Sequence, residues 1–162
     1  MLHLRSDSPA STSAIAASLA GVTKRGDLIV LAGEMGAGKT AFAKGFGRAI
    51  GVEEPITSPT YTLVHSYPAG RVTLHHADIY RLTTHHEVAD LALPELLESD
   101  GIVLVEWGDV VAGTLGDHVL VRIEFDTDDP DDDARNIEIS ATGRTWAVRW
   151  DEIERRMAAF QC

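Results

Sequence analysis

An α/β fold built around a phosphate-binding loop is predicted by three observations. Gly33-Glu34-Met35-Gly36-Ala37-Gly38-Lys39-Thr40 fits G-x-x-x-x-G-K-[ST], the phosphate loop of nucleotide hydrolases. Leu28-Ile29-Val30-Leu31-Ala32 precedes it as a short apolar run that reads as a buried strand. A helical pattern follows, with Phe42, Phe46, Ala49 and Ile50 recurring on one face and Gly51 as its stop.

Each part of the loop has a physical task. Glycines let backbone N–H groups turn inward around phosphates with no Cβ in the way, and the helix that follows adds its positive N-terminal dipole. Residues Gly33 to Thr40, with Ala41 behind them, are therefore the candidate contacts for ATP or ADP. Lys39 would bring a point charge to the β- and γ-phosphates, and the Thr40 hydroxyl would bind Mg²⁺. A glycine-rich turn that merely joins a strand to a helix is the plainer alternative, but strand, motif and helix all agree.

Composition bounds the rest. The 162 residues predict a single domain, 1–162, with enough chain for a core, and 44% hydrophobic content is that of a globular protein. No apolar run approaches the roughly 20 residues that span a membrane, and the N-terminus lacks a signal-peptide core, so a cytoplasmic protein is expected. The single cysteine, Cys162, cannot form an intramolecular disulfide. A net charge of −11 opposes broad contact with nucleic acid, so a partner is expected to hold any nucleic acid involved.

In chain order, residues 2–5 read as a short first strand. Ser8 caps a helix with Pro9 at its first position and Ile15, Leu19 and Val22 as its buried stripe; Lys24 and Arg25 are expected in the last turn, before Gly26. Residues 52–60 hold two prolines and no periodicity, a loop able to close over a γ-phosphate and offer Thr57, Ser58 or Thr60. Strands at 61–67 and 72–77 are joined by Pro68-Ala69-Gly70-Arg71, hence an antiparallel hairpin. The second strand ends in His75-His76-Ala77-Asp78, where a carboxylate near a phosphate loop can bind metal through water or orient a nucleophile. His75, His76, His85 and His86 suggest zinc, but adjacent strand residues face opposite sides, and no cysteine helps.

Thr84-His85-His86-Glu87 is a capping box, and Leu91, Leu93, Leu96 and Leu97 read as core in a helical stretch broken near Pro94. Ile102-Val103-Leu104-Val105-Glu106 is an apolar strand closed by a carboxylate, the pattern of the second nucleotide-hydrolase motif, in which the acid holds or activates the Mg²⁺ water. Trp107 is expected to pack beside it. Strands at 118–125 and 135–142 flank the acidic tract Asp126–Asp133, which is expected to be solvated and extended. A last helix carries Trp146, Trp150, Ile153 and Met157 as a core-facing stripe.

Together these pieces resemble the TsaE (YjeE) family, small bacterial ATPases required for the threonylcarbamoyl modification of the adenosine beside the anticodon in tRNAs reading ANN codons. The resemblance covers nearly the whole chain. It rests on Gly33–Thr40, on Ser58-Pro59-Thr60-Tyr61-Thr62-Leu63, on His76, Asp78, Tyr80 and Arg81 in their spacing, and on Val105-Glu106-Trp107. It implies Thr40 and Glu106 as Mg²⁺ ligands, Thr60 in a switch-like loop and Asp78 as an acid needed for hydrolysis. It also implies TsaD and TsaB as partners, with tRNA met only indirectly through that complex. The extra histidines and the aspartate tract depart from the family pattern.

The fold expected is that of the phosphate-loop nucleotide hydrolases: a mixed, mostly parallel central sheet of about seven strands, with helices on both faces. No arginine-finger candidate stands out, so slow basal turnover assisted by a partner is expected. Two rivals remain. A small-molecule kinase needs an acceptor pocket and an arginine-bearing lid, for which residues 82–101 are too short; a nucleotide-gated binding module would hydrolyse only incidentally. A GTPase is disfavoured, because Asn136 is the only asparagine and no N-K-x-D motif exists.

Overall fold

A computed structural model describes residues 1–59, 64–79, 92–98, 101–106, 116–128 and 133–162. Seven strands form one sheet: β1 (Leu2–Ser6), β2 (Leu28–Ala32), β3 (Val64–Ala69), β4 (Val72–Asp78), β5 (Gly101–Glu106), β6 (His118–Phe125) and β7 (Arg135–Thr142). Their spatial order is β1-β7-β6-β2-β5-β4-β3. The middle, β6-β2-β5-β4, is parallel. Both flanks are antiparallel, β6-β7-β1 on one side and β4-β3 on the other. The expected parallel character thus belongs to the centre.

β2 has a neighbour on each side, which is why all five of its residues are apolar and buried. Its alternate residues serve different layers. Ile29 and Leu31 join the larger core beneath α1 (Pro9–Ala20) and α2 (Lys39–Ile50). Leu28 and Val30 join a smaller core beneath α3 (Leu93–Glu98). Helices therefore cover both faces.

The local chemistry explains each helix boundary. Ser8 Oγ accepts from Ser11 N–H at 3.1 Å and Pro9 opens α1, as expected. The helix ends at Ala20, however, before Lys24 and Arg25. Gly21 follows, and the Thr23 hydroxyl donates to the freed Leu19 and Ala20 carbonyls at 3.1 and 2.8 Å. On α2 the buried face holds Phe42, Ala43, Gly45, Phe46 and Gly47, whereas Ala49 faces water. A Cβ on Gly45 would lie 2.6 Å from Ser13 Cα, so two glycines occupy the face where α1 and Ile56 approach most closely.

The β3–β4 turn is tighter than expected: Ala69 pairs with Val72, leaving Gly70-Arg71 as the loop, with Gly70 at φ +75°. Pro68 lies inside β3, which is permitted because β3 is an edge strand with one partner. Pro94 sits in the first turn of α3, where a missing N–H costs nothing, and the stretch just before residue 92 lies outside the described residues. The last helix is two: α4 (Arg144–Ala147) and α5 (Trp150–Met157), followed by a 3₁₀ turn at Ala158–Phe160. Trp146, Ile153 and Met157 are buried, and Trp150 partly so.

The break between α4 and α5 serves Arg149. Its Nη1 and Nη2 donate to the two Asp27 carboxylate oxygens at 2.6 and 2.8 Å, and Nη1 also reaches Val22 O at 2.8 Å. The guanidinium carbon lies 3.9 Å from the centre of the Trp146 ring. The acidic tract also departs from expectation at one residue. The Asp126 side chain is only 6% exposed, pairs with Arg5 and accepts from Asp128 N–H at 3.1 Å. Asp128 and Asp133 face water, while 129–132 lie outside the described residues. The capping box at Thr84–Glu87, Leu91 and Trp107 lie outside them too.

Candidate functional site

The site lies at the carboxyl ends of the parallel strands, where β2 runs into the loop and β4 and β5 end in acids. The loop's backbone needs glycine: Gly33, Gly36 and Gly38 have φ of +147°, +82° and +116°. A Cβ on Gly33 would also meet Ile123 O at 2.3 Å. Glu34, Met35 and Gly36 form an exposed tip, and Ala37 is buried beneath it. Gly38 is the N-cap of α2, and no side chain caps the helix there, so the first N–H groups are presented towards the loop.

Lys39 is buried despite its charge. Its Nζ donates to Gly33 O at 2.7 Å and Glu34 O at 2.9 Å, folding the ammonium back across the loop it would share with a phosphate. Thr40 and Ala41, both half-buried, continue the first turn of α2. A cradle of glycine backbone, an uncapped helix start and a buried ammonium together fit an anion such as a nucleotide phosphate.

Register brings the carboxylates to this cradle. Leu31 pairs with Glu106, and Glu106 pairs with Asp78, so all three stand side by side on the face that carries α2. Asp78 and Glu106 are both buried. The pair predicted from separate segments is thus assembled at adjacent strand ends.

His76 was not singled out by sequence as a partner, yet it completes this corner. Its Nε2 lies 2.6 Å from Glu106 Oε2, and both side chains are almost wholly buried. A carboxylate can only accept, so Nε2 donates to Glu106, and Nδ1 has no partner among the described residues. The available signal was period two: His76, like Asp78, faces the Glu106 side of β4. His75 faces the other layer, where Ser66 Oγ lies 2.7 Å from Nδ1 and burial holds the imidazole below its ordinary pKa. The two adjacent histidines therefore belong to different sites.

Among the described residues no group of three or more His, Cys, Asp or Glu could hold a metal. A Mg²⁺ bound through a single carboxylate and a hydroxyl, with phosphate and water as its other ligands, needs no such group. Thr57 and Ser58 are exposed on the connection after α2, whereas Thr60 and residues 61–63 lie outside the described residues.

These features can be set against known proteins. Residues 6–137 match the family described as threonylcarbamoyl adenosine biosynthesis protein TsaE. The chain belongs to the TsaE family. The tRNA threonylcarbamoyladenosine biosynthesis protein TsaE of Bacillus subtilis is 35% identical over 95% of this chain and 94% of its own. The protein of the same name from Streptomyces coelicolor is 37% identical over 80% of this chain and 90% of its own. The crystal structure of Bacillus subtilis YdiB superposes with a TM-score of 0.78 at 31% identity, covering 95% of this chain and 94% of that one. The family match contains the loop, Asp78 and Glu106, whereas α4 and α5 lie beyond it. No described helix is long and apolar enough to cross a membrane.

Proposed function

We propose that this chain binds and hydrolyses ATP with Mg²⁺, in the service of N6-threonylcarbamoyladenosine formation on tRNA. One observation carries the reading: in a chain of the TsaE family, a phosphate loop with buried Lys39 stands beside two buried carboxylates, Asp78 and Glu106, in register on adjacent strands. Bound Mg²⁺ would supply charge neutralisation to the nucleotide phosphates, and Thr40 and Glu106 would hold it. Lys39 moves from the loop carbonyls to the phosphates, the backbone N–H groups of Gly33 to Ala41 surround them, and Asp78 aligns water for attack. His76 fixes the Glu106 carboxylate by its hydrogen bond.

The partners in this reading are TsaD and TsaB, on whose transfer complex the ATPase acts so that it can turn over repeatedly, in the cytoplasm. A net charge of −11 suits a protein that meets tRNA only through such a complex. Hydrolysis by the chain alone is slow, and the complex accelerates it by ordering residues 52–60 or supplying a cation; an arginine finger, where used, contributes about 10³–10⁵ in rate. The test is a reconstituted assay with TsaD, TsaB, tRNA and threonylcarbamoyl-adenylate. Stimulated phosphate release with many rounds of tRNA modification is expected. Equal multi-round modification with Glu106→Gln in place of the native chain would contradict hydrolysis as the working step and leave a nucleotide-gated binding module.

A further inference from the structure

The phosphate loop is held from outside by a residue distant in sequence. Arg135 opens β7, across the β6–β7 hairpin from Phe125. Its Nε donates to Ala37 O at 2.8 Å, and its Nη1 donates to Ala134 O at 2.8 Å. The guanidinium carbon lies 4.5 Å from the centre of the Phe125 ring, and the tip of that ring is 3.9 Å from where a Cβ on Gly36 would stand. Arg135 is thus stacked on the Phe125 ring, tied to the residue before its strand and bonded to the Ala37 carbonyl of the loop.

That carbonyl matters because of the peptide that contains it. Ala37 C=O and Gly38 N–H belong to one trans peptide, in which the two groups point in opposite directions. A donor that holds the carbonyl towards the hairpin holds the N–H away from it, towards the mouth of the loop. A Cβ on Gly38 would meet nothing within 4 Å, so no packed neighbour on that side of the residue holds it in place. Gly38 has φ of +116° and no side chain to resist rotation of the peptide. Without an external bond the Ala37–Gly38 peptide could turn its N–H out of the cradle.

We infer that Arg135 is a positioning residue of the phosphate loop, which clamps the Ala37–Gly38 peptide so that Gly38 N–H faces the phosphate; this rests on the nucleotide reading above. The clamp acts through the Nε–H bond and not through the charge alone. The hairpin that bears the acidic tract is thereby wired to the nucleotide site, although residues 37 and 135 lie far apart in the chain.

Three substitutions separate donor, charge and packing. Arg135→Gln places an amide nitrogen at the chain position of Nε and removes the charge. Arg135→Lys keeps the charge but puts a methylene there. Arg135→Met keeps only the apolar stem. Calorimetric titration of each full-length variant with Mg²⁺–ADP is read beside the Gly38 amide resonance in the nucleotide-free protein. Arg135→Met and Arg135→Lys are expected to bind about ten-fold more weakly and to shift that resonance, the loss typical of one charge-assisted hydrogen bond. Arg135→Gln is expected to recover most of the affinity and the native resonance. If Arg135→Met does not fold, the Gln and Lys variants still decide the matter. Native affinity in Arg135→Lys with a deficit in Arg135→Gln would overturn the clamp, showing that charge alone matters. Failure of the native protein to bind ADP would overturn the nucleotide reading, and the Gly38 resonance would still test the clamp.

Discussion

The two ends of β2 place buried charges in opposite circumstances. At the amino end, Asp27 is fully answered: two hydrogen bonds from Arg149, one from Lys24 N–H at 2.7 Å, and the guanidinium itself stacked on Trp146. At the carboxyl end, Lys39 donates to two carbonyls of its own loop. Two carboxylates stand next to each other there, and His76 Nδ1 has no partner among the described residues. A buried charge with a matched partner fastens the fold. Two carboxylates brought side by side at the end of the phosphate-loop strand, next to an uncapped helix start, suit the proposed nucleotide site. The same strand thus separates stability from chemistry along about 16 Å, the length of a five-residue strand.

The largest effect on stability is expected at the amino end of β2. Arg149→Ala leaves Asp27 buried and uncompensated, and should cost about 3 kcal/mol of stability, as loss of one partner from a buried pair does. Chemical denaturation checks this, and the Mg²⁺–ATP affinity of the remaining folded protein should be native. A variant that keeps its stability but loses nucleotide would reverse the assignment of the two ends.

A smaller effect distinguishes two changes at one carboxylate. Glu106→Ala removes the partner of a buried histidine and should cost about 1–3 kcal/mol in stability through the orphaned donor. Glu106→Gln still offers an acceptor to His76 and should denature close to the native midpoint, while losing the increment in ATP affinity that Mg²⁺ brings. Should Glu106→Gln keep that increment, Asp78 becomes the metal ligand.

The smallest effect concerns His75, on the opposite face from the cradle. Burial lowers its pKa in the folded state from 6.5, so the unfolded chain takes up the proton first as pH falls. Its contribution is intact above pH 6.5 and is lost as pH drops through 6.5 towards the lowered value. Melting temperature between neutral and mildly acidic pH should fall more steeply in the native protein than in His75→Gln. Parallel slopes would mean that His75 does not carry the dependence.

Much of this was legible in the sequence, for reasons that differ by element. Five buried apolar residues, a motif with fixed glycines and an acid at each of two strand ends are local signals, and β2, the loop, β4 and β5 follow from them. What escaped depends on contacts between distant segments. Arg149 interrupts the last helix because Asp27 lies beside it. Ala49 faces water because α1 and Ile56 claim the adjacent face of α2, and Asp126 is withdrawn from the acidic tract by Arg5. Pro68 is accommodated because β3 has an open edge. His76 belongs to a spaced motif that does not name its partner, and Arg135 to none; one needs the β4–β5 register and the other the β6–β7 register to find its neighbour.

The most direct test of the carboxyl-end site is calorimetric titration of the native protein and of Lys39→Ala with ATP, each with and without Mg²⁺. Saturable one-to-one binding by the native protein, tighter with Mg²⁺, is expected. Lys39→Ala should lose about 100-fold or more in affinity, consistent with removal of a buried charge-assisted contact, at nearly native melting temperature. Unchanged affinity in a folded Lys39→Ala protein, or no binding by the native chain, would contradict a nucleotide site at this end of the sheet.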